Sequence, residues 1–311
     1  MKKYFIALLL AMVSFSVMAW EPTPGKPVTI IIAYSPGSAN ELLTRKVVSI
    51  INKKHNVNFV IELKPGAYEL IGMNHFADAA SDGYTLYSPG AGAYYGTPVW
   101  FKNKVKTDPA NWEYVINLGQ SPVALFAKSD SSVNTPKDFG KALTEGKKIN
   151  VGTGAPVFVL AYEYMVKQHK DNNAQRIQYN GPAPVVQAVV AKDVEFGLTP
   201  LSMAVEFAKD NKLKIVGITG TGNSPYPKLT DEFKGLTTEA EVGMVLPQAT
   251  PKVISDYYKK IFAEATSSQE YKEFLASIHW YDSLKTPENY KTWVFEQRKK
   301  WMPVAETVEF K

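Results

Sequence analysis

The chain has 311 residues, no cysteine, 20 glycines and 20 prolines, and a formal charge of +5 at pH 7. Without cysteine, disulfides and thiolate chemistry are excluded, and so is a lipid anchor on a processed cysteine. The surplus charge is mild and no dense Lys/Arg run carries it, which argues against a nucleic-acid partner.

Lys2 and Lys3 precede an apolar run over residues 4–17, and Val17-Met18-Ala19 stands just before Trp20-Glu21-Pro22. A charged n-region, an apolar h-region and a small-residue cleavage signal in that order read as a secretory signal peptide over residues 1–19, cleaved near Ala19. The run is shorter than the roughly 20 residues a membrane-spanning helix needs. Its removal takes the charge to 5 − 2 = +3, and the expected location is the periplasm. The rest has the length and apolar content of about two domains.

The first strand is the β-branched run Val28-Thr29-Ile30-Ile31-Ile32-Ala33. It leads into the loop Tyr34-Ser35-Pro36-Gly37-Ser38-Ala39-Asn40-Glu41 and a helix whose apolar face holds Leu43, Val47, Ile50 and Ile51. A strand, a glycine turn and a helix aim backbone N–H groups and the positive end of a helix dipole at one point, which suits an anion. The expected contacts are Tyr34, the Ser35 hydroxyl and the free N–H groups of Gly37, Ser38, Ala39 and Asn40. Ser38 and Glu41 fit a capping box, in which Glu41 reaches back to the Ser38 N–H and serves the helix rather than the ligand.

A second strand over residues 59–63 follows, then the turn Lys64-Pro65-Gly66-Ala67, a helix over 71–80, and a third strand over 84–87 that ends in Ser88-Pro89-Gly90-Ala91-Gly92. Strands alternating with helices, with glycine-containing loops after the strands, predict an α/β sheet with its crevice at the strand ends. The aromatics Tyr94, Tyr95, Trp100 and Trp112 read as core or interdomain packing. A crossing to a second domain is expected after residues 112–116, with a new strand at 123–127. Pro136 marks a helix start. Ile149-Asn150-Val151 then repeats the opening pattern: a strand, the turn Gly152-Thr153-Gly154-Ala155-Pro156, and a helix over 157–167. This turn is the expected second half of the anion site. Strands are predicted at 176–179, 194–198 and 214–218, a return crossing in the Gly/Ser/Pro-rich stretch near 219–226, and three tail helices at 251–265, 269–278 and 287–301 that close over the first domain.

No P-loop and no nucleophile elbow is present, and Gly90-Ala91-Gly92 lacks the rest of a dinucleotide fingerprint. The four histidines stand isolated, without metal-ligand spacing. No cofactor and no metal is expected.

Lys26-Pro27-Val28-Thr29-Ile30-Ile31-Ile32, Pro36-Gly37, Lys64-Pro65-Gly66-Ala67, Asp82-Gly83-Tyr84-Thr85-Leu86, Tyr179-Asn180-Gly181-Pro182-Ala183-Pro184, Pro247 with Thr250-Pro251, and the Trp301 tail stand in an order that resembles the extracytoplasmic receptors of tripartite tricarboxylate transporters, the Bug proteins. The resemblance runs over essentially the whole mature chain. It implies a two-lobed, type II periplasmic binding protein, each lobe a central, mostly parallel sheet flanked by helices. Such a protein closes like a Venus flytrap on a small carboxylate and delivers it to integral-membrane subunits. It implies residues 20–121 with 228–311 as one lobe and 122–227 as the other, a monomer, and no catalysis.

Carried onto this chain, the resemblance places ligand contacts at residues 35–41, at Ser88, Gly90 and Ala91, at Gly152, Thr153, Gly154 and Ala155, and at Thr199. Several positions depart from the family. Ser38 and Glu41 stand where a second Gly and an Asp are usual. The second-lobe loop keeps only Thr153 as a hydroxyl, Thr199 replaces an acid, and the chain is short between Glu241 and Pro247. Loss of the acid at Thr199 favours a di- or aromatic carboxylate over an amino acid. The alternatives are a periplasmic enzyme on the same scaffold and a receptor for a neutral or cationic solute.

Overall fold

A computed structural model describes residues 20–308 except 146–147, 170–171, 221–223 and 285. The signal-peptide expectation lies outside the described residues. No described helix is long and apolar enough to cross a membrane.

The first sheet begins with β1 (Val28–Ile32), α1 (Ala39–Ile51), β2 (Phe59–Leu63), α2 (Leu70–Ala77) and β3 (Thr85–Ser88). β1 pairs in parallel with both β2 and β3. The expected face of α1 is the buried one: Leu43 and Val47 have no exposed surface, and Ile50 and Ile51 have almost none. Two short helices, α3 (Gly92–Tyr95) and α4 (Thr97–Trp100), follow, with Tyr94 and Tyr95 in the core as expected.

The crossing differs from expectation. Residues 112–116 and 123–127 do not belong to separate strands. They lie on or beside one 16-residue strand, β4 (Glu113–Lys128), which belongs to both sheets. Its first part pairs antiparallel with β9 (Glu239–Leu246), from Glu113↔Leu246 to Pro122↔Glu239, and from Val123 onward its partners are in the second sheet. Proline has no N–H to give a ladder, so Pro122 stands where one set of partners ends and the other begins.

The second sheet contains α5 (Pro136–Thr144), β5 (Ile149–Thr153), α6 (Pro156–Lys167), β6 (Ala174–Gln178), α7 (Pro182–Ala191), β7 (Phe196–Pro200), α8 (Leu201–Lys209) and β8 (Leu213–Ile218). β5 pairs in parallel with β6 and β7, while β7 and β8 flank β4 in antiparallel fashion. Each lobe thus has a parallel core and antiparallel strands at the junction.

Residues 229–233 lie on the second lobe. Leu229 lies under Gly217, Phe233 meets Phe139 edge-on, and Glu232 faces His169. We therefore place the return crossing at 237–239, where β9 begins, and not at residue 228. The Gly/Ser/Pro-rich stretch includes residues 221–223, which lie outside the described residues; beyond it Lys228 bridges Ile218 of β8.

The tail forms α9 (Lys252–Thr266), α10 (Gln269–Ser277) and α11 (Pro287–Ala305). α9 and α10 cover the first lobe. α11 spans both: Arg298 donates to the Tyr94 carbonyl at 2.7 Å on the first lobe, and Trp301 packs edge-on against Tyr164 on the second.

Candidate functional site

The lobes meet where the loops after β1, β2, β3, β5 and β6 face one another. Two cavities lie there, both walled by Tyr34 and Ala155. The outer one, of about 260 Å³, is lined on the first lobe by residues 33–35 and 65–69 and on the second by residues 154–156 and 178–181. Ordinary drug-sized pockets run to roughly 300–1,000 Å³, so this one suits a small ligand. The inner one, of about 30 Å³, is lined by Ser38, Ala39, Asn40, Ala91, Val157, Phe158, Pro182, Pro200, Glu241 and Trp280 among others.

The opening loop divides its work differently from expectation. Ser38 caps α1, its Oγ accepting from the Glu41 N–H at 3.3 Å. Glu41 reaches back one residue further than a capping box requires: its Oε2 accepts from the Gly37 N–H at 2.8 Å, and its Oε1 accepts from Arg45. The Gly37 hydrogen bond and Arg45 hold the Glu41 carboxyl below its ordinary range. The Ser38 N–H donates to the Ser35 carbonyl at 3.3 Å. Two of the four N–H groups expected to be free are therefore spent within the loop, because a short turn that also caps a helix needs its own donors. The other two belong to Ala39 and Asn40, both on the inner wall. The Asn40 side chain is structural, donating to the Ser88 and Pro89 carbonyls and tying the first loop to the third. Replacing Ser38 by Ala is expected to cost about 1 kcal/mol through the lost cap, read from urea denaturation. An unchanged midpoint would contradict that role.

On the second lobe, Gly152 and Thr153 lie within β5, and the Thr153 Oγ1 donates to Gln178 Oε1 at 3.2 Å behind the cavity wall. Gly154 and Ala155 form the wall. Gly154 must be glycine because a Cβ there would stand 2.1 Å from the Gly181 carbonyl oxygen. This contact seats the β5–α6 turn on the start of α7. Ala155 caps α6 with no side-chain acceptor, and Gly181, with φ of 102°, precedes α7. Pro200 precedes α8 at the inner wall. The N-termini of α1, α6, α7 and α8 thus converge on the two cavities.

Of the expected contacts, Tyr34, Ser35, Ser38, Ala39, Asn40, Ala91, Gly154 and Ala155 line one cavity or the other. Gly37, Ser88, Gly90, Gly152, Thr153 and Thr199 do not. Gly37 is exposed on the outside of its loop, whereas Ser88 and Thr199 are fully buried, and the Thr199 hydroxyl donates to the Pro200 carbonyl. Sequence reasoning missed the 65–69 turn, the 178–181 loop, Glu241 and Trp280 as cavity walls. The motif Tyr179-Asn180-Gly181-Pro182, a glycine–proline break after a strand, was the available signal for the second of these.

The 65–69 turn is unusual. Ala67, Tyr68 and Glu69 take φ of 47°, 52° and 75°, three consecutive left-handed residues without a glycine. Such residues cost of order 1 kcal/mol or more each and persist where the surroundings over-determine them. Glu69 precedes α2 but does not cap it. Its carboxyl turns instead toward Tyr34, whose hydroxyl donates to Oε1 at 2.5 Å, and toward the Gly90 N–H, which donates to Oε2 at 3.1 Å. At 2% exposure the Glu69 carboxyl is pushed by burial up to about 8. Glu241 on the inner wall is equally buried and also pushed to about 8. Asn117 donates to its Oε1 at 2.8 Å, and the mutually hydrogen-bonded hydroxyls of Tyr94 and Tyr290 lie beside it. His55, His75 and His169 sit away from the cleft, facing Glu264, Glu62 and Glu232.

The family description "Tripartite tricarboxylate transporter family receptor" matches residues 43–310. The chain belongs to this receptor family. A UPF0065 protein of Cupriavidus necator is 23% identical over 296 residues, covering 91% of this chain and 88% of that protein. Among solved structures, MatC of Rhodopseudomonas palustris with bound malate is similar with a TM-score of 0.82 at 20% identity, covering 91% of this chain and all of MatC. Another R. palustris protein, Rpa4515 solved with adipate, has a TM-score of 0.83 at 19% identity, covering 91% and 97% of the two chains. These likenesses show the two-lobed binding-protein fold. As a tripartite tricarboxylate receptor the chain is a solute-binding protein.

Proposed function

We propose that this receptor works in the periplasm, closes on a small carboxylate between its lobes and passes it to the membrane subunits of a tripartite tricarboxylate-type transporter. The observation that carries the reading is the convergence of four helix N-termini from two lobes on cavities whose described walls contain no lysine or arginine. Each such terminus adds about 0.3–1 kcal/mol to anion affinity, up to ~2 kcal/mol where partly buried. Backbone donors and burial supply the remainder. Malate and adipate in two structural relatives support the same ligand class. Contacts from both lobes bias the closed state, and ligand-dependent closure through the β4 and β9 crossings follows.

Titration of the purified chain with malate, adipate and aromatic acids, followed by tryptophan fluorescence and by product analysis, tests this reading. Saturable binding with the ligand recovered intact is expected. Turnover that disappears on changing one cleft residue would replace the receptor with an enzyme.

A further inference from the structure

One segment of the tail lies across the hinge, on the far side from the outer cavity. α10 ends in a left-handed residue, His279 with φ of 56°, and the N–H groups of His279 and Trp280 return to the carbonyls of Ala276 at 3.2 Å and Leu275 at 2.9 Å. This is a Schellman end without its usual glycine, and it fixes Trp280 to the first lobe. The Trp280 ring lies over Gly119 of β4, where an added Cβ would stand 3.3 Å from it. The chain then runs along the crossing. The Gln120 N–H donates to the Tyr281 carbonyl at 2.8 Å, and the Tyr281 N–H donates to the Gln120 carbonyl at 2.9 Å. Ser121 Oγ donates to the His279 carbonyl at 3.4 Å, the Ser283 hydroxyl meets Gln120 Oε1, and the Tyr281 hydroxyl donates to Glu239 Oε1. Gln120 Nε2 donates to the other Glu239 oxygen at 3.3 Å. Residues 279–283 thus hold both crossing strands, β4 at Gln120 and Ser121 and β9 at Glu239, beside the point where β4 changes partners.

One contact of this segment leaves the first lobe. Trp280, 4% exposed, donates through Nε1 to Ser202 Oγ at 3.0 Å, in the first turn of α8. α8 follows directly on β7, whose Pro200 pairs with Val123. Gly119, beneath the donor, pairs instead with Val242 of the first sheet. The stretch of β4 from Gly119 to Val123 therefore separates the seat of the donor from that of the acceptor, and a rotation of the lobes falls within it. A side-chain hydrogen bond is lost by a separation of about 3.6 Å, so this one survives only a narrow range of lobe angles. In this structure the lobes are apposed: a Cβ on Gly92 would stand 2.3 Å from the Pro156 side chain across the cleft. On its other side Trp280 borders a cavity of about 700 Å³ behind the crossing, which leaves its ring space to move.

We propose that residues 279–283 are a strap across the hinge and that Trp280 is a latch, its bond to Ser202 made when the lobes are closed and broken when they part. The proposal rests on the lobe closure proposed above and is independent of the ligand's identity. A bond that exists in one state only shifts the equilibrium toward that state. The latch therefore favours the closed lobes before any ligand arrives and slows their parting afterwards. α11 adds a second tie, Lys300 donating to the Gly235 carbonyl at 2.8 Å, so loss of the latch shifts the balance and does not abolish closure.

The chain has no cysteine, so Ile71→Cys on α2 and Gln187→Cys on α7, exposed positions on opposite lobes, take spin labels at those two sites alone. Double electron–electron resonance on the ligand-free labelled chain is expected to show two lobe-to-lobe distances. Trp280→Phe and Ser202→Ala, which remove the donor and the acceptor, are each expected to raise the ratio of the longer to the shorter about fivefold. The double variant is expected to go no further than either alone, because the two remove the same bond. Tyr281→Phe, which frees the strap from Glu239 and leaves both latch residues in place, is expected to shift the ratio in the same direction. Circular dichroism checks the fold, and Ser202→Ala, a smaller change at a partly exposed position, carries the test if Trp280→Phe fails to fold. A ratio unchanged by Ser202→Ala, or additive shifts in the double variant, would overturn the latch and leave closure standing. A ratio unchanged by Tyr281→Phe would overturn the strap. A single distance in every variant would overturn closure and the latch with it.

Discussion

Replacing Gly154 by Ala is expected to cost about 1–3 kcal/mol of stability, the range for forced overpacking, and to weaken ligand binding at least as much. The added Cβ would fall 2.1 Å from the Gly181 oxygen, 2.3 Å from its carbonyl carbon and 2.7 Å from the Pro182 nitrogen. All three are backbone atoms, so no rotamer change relieves the clash. Either the β5–α6 turn or the start of α7 must move. Both carry cavity walls: Gly154 and Ala155 on one side, Asn180 and Gly181 on the other. Displacing them separates the N-termini of α6 and α7, which face the outer cavity. Gly152 is the useful contrast, since a Cβ there would meet Val185 Cγ1 at 3.0 Å, a side-chain atom that can shift. Urea denaturation and ligand titration of Gly154→Ala beside Gly152→Ala measure the difference. Equal behaviour of the two would mean that the 154–181 contact does not position the cleft.

The second large effect is on pH dependence. In the ligand-free protein, Glu69 and Glu241 are both raised by burial to about 8, against an ordinary carboxyl value of 4.5. Between those values the folded protein binds protons that the unfolded chain has released. These carboxyls therefore contribute stability that is full below about 4.5 and is lost as pH rises toward and through about 8. The slope is up to ~1.4 kcal/mol per pH unit for each carboxyl. The unfolding free energy is expected to fall between pH 5 and 8, and Glu241→Gln to flatten the fall. The carboxyls held low, Glu41, Glu62, Asp130, Asp138 and Glu270, act in the opposite sense and only at the acidic end. Denaturation curves at unit pH steps decide the matter. A profile flat from pH 5 to 8 would mean that neither carboxyl is protonated in the fold.

Patterns of short range were legible in the sequence. The apolar spacing of Leu43, Val47, Ile50 and Ile51 announces α1 and its buried face, and Ser38 announces its cap, because both depend on residues within one or two turns. Pro136 after Thr135 marks the start of α5 in the same way, with Thr135 and Asp138 forming a complete capping box. The crossing was less legible. Apolar periodicity shows that residues on both sides of Gly119-Gln120-Ser121-Pro122 are strand. It does not show that one strand serves two sheets, since a change of ladder partner leaves no mark on the strand's own alternation. β9 was missed for a related reason: Glu241 and Gly243 interrupt its apolar run, and it is strand because β3 and β4 supply partners on both edges.

The cleft divides along the same line. By itself the sequence determined that two strand–turn–helix units each offer a helix N-terminus, that no thiol or nucleotide chemistry is present, and, through its ordered motifs, which receptor family the chain belongs to. Each of these is a property of contiguous residues. Only the tertiary structure decided which groups are spent and which line the cavities: the Gly37 N–H is taken by Glu41, Thr199 is buried away from them, and Glu69 and Glu241 are brought to them. The placement of Glu69 and Glu241 depends on burial and on partners more than 20 residues away, the Gly90 N–H for the one and Asn117 for the other. A carboxyl's charge state is set by the dielectric and the donors around it, which exist only once the lobes are packed.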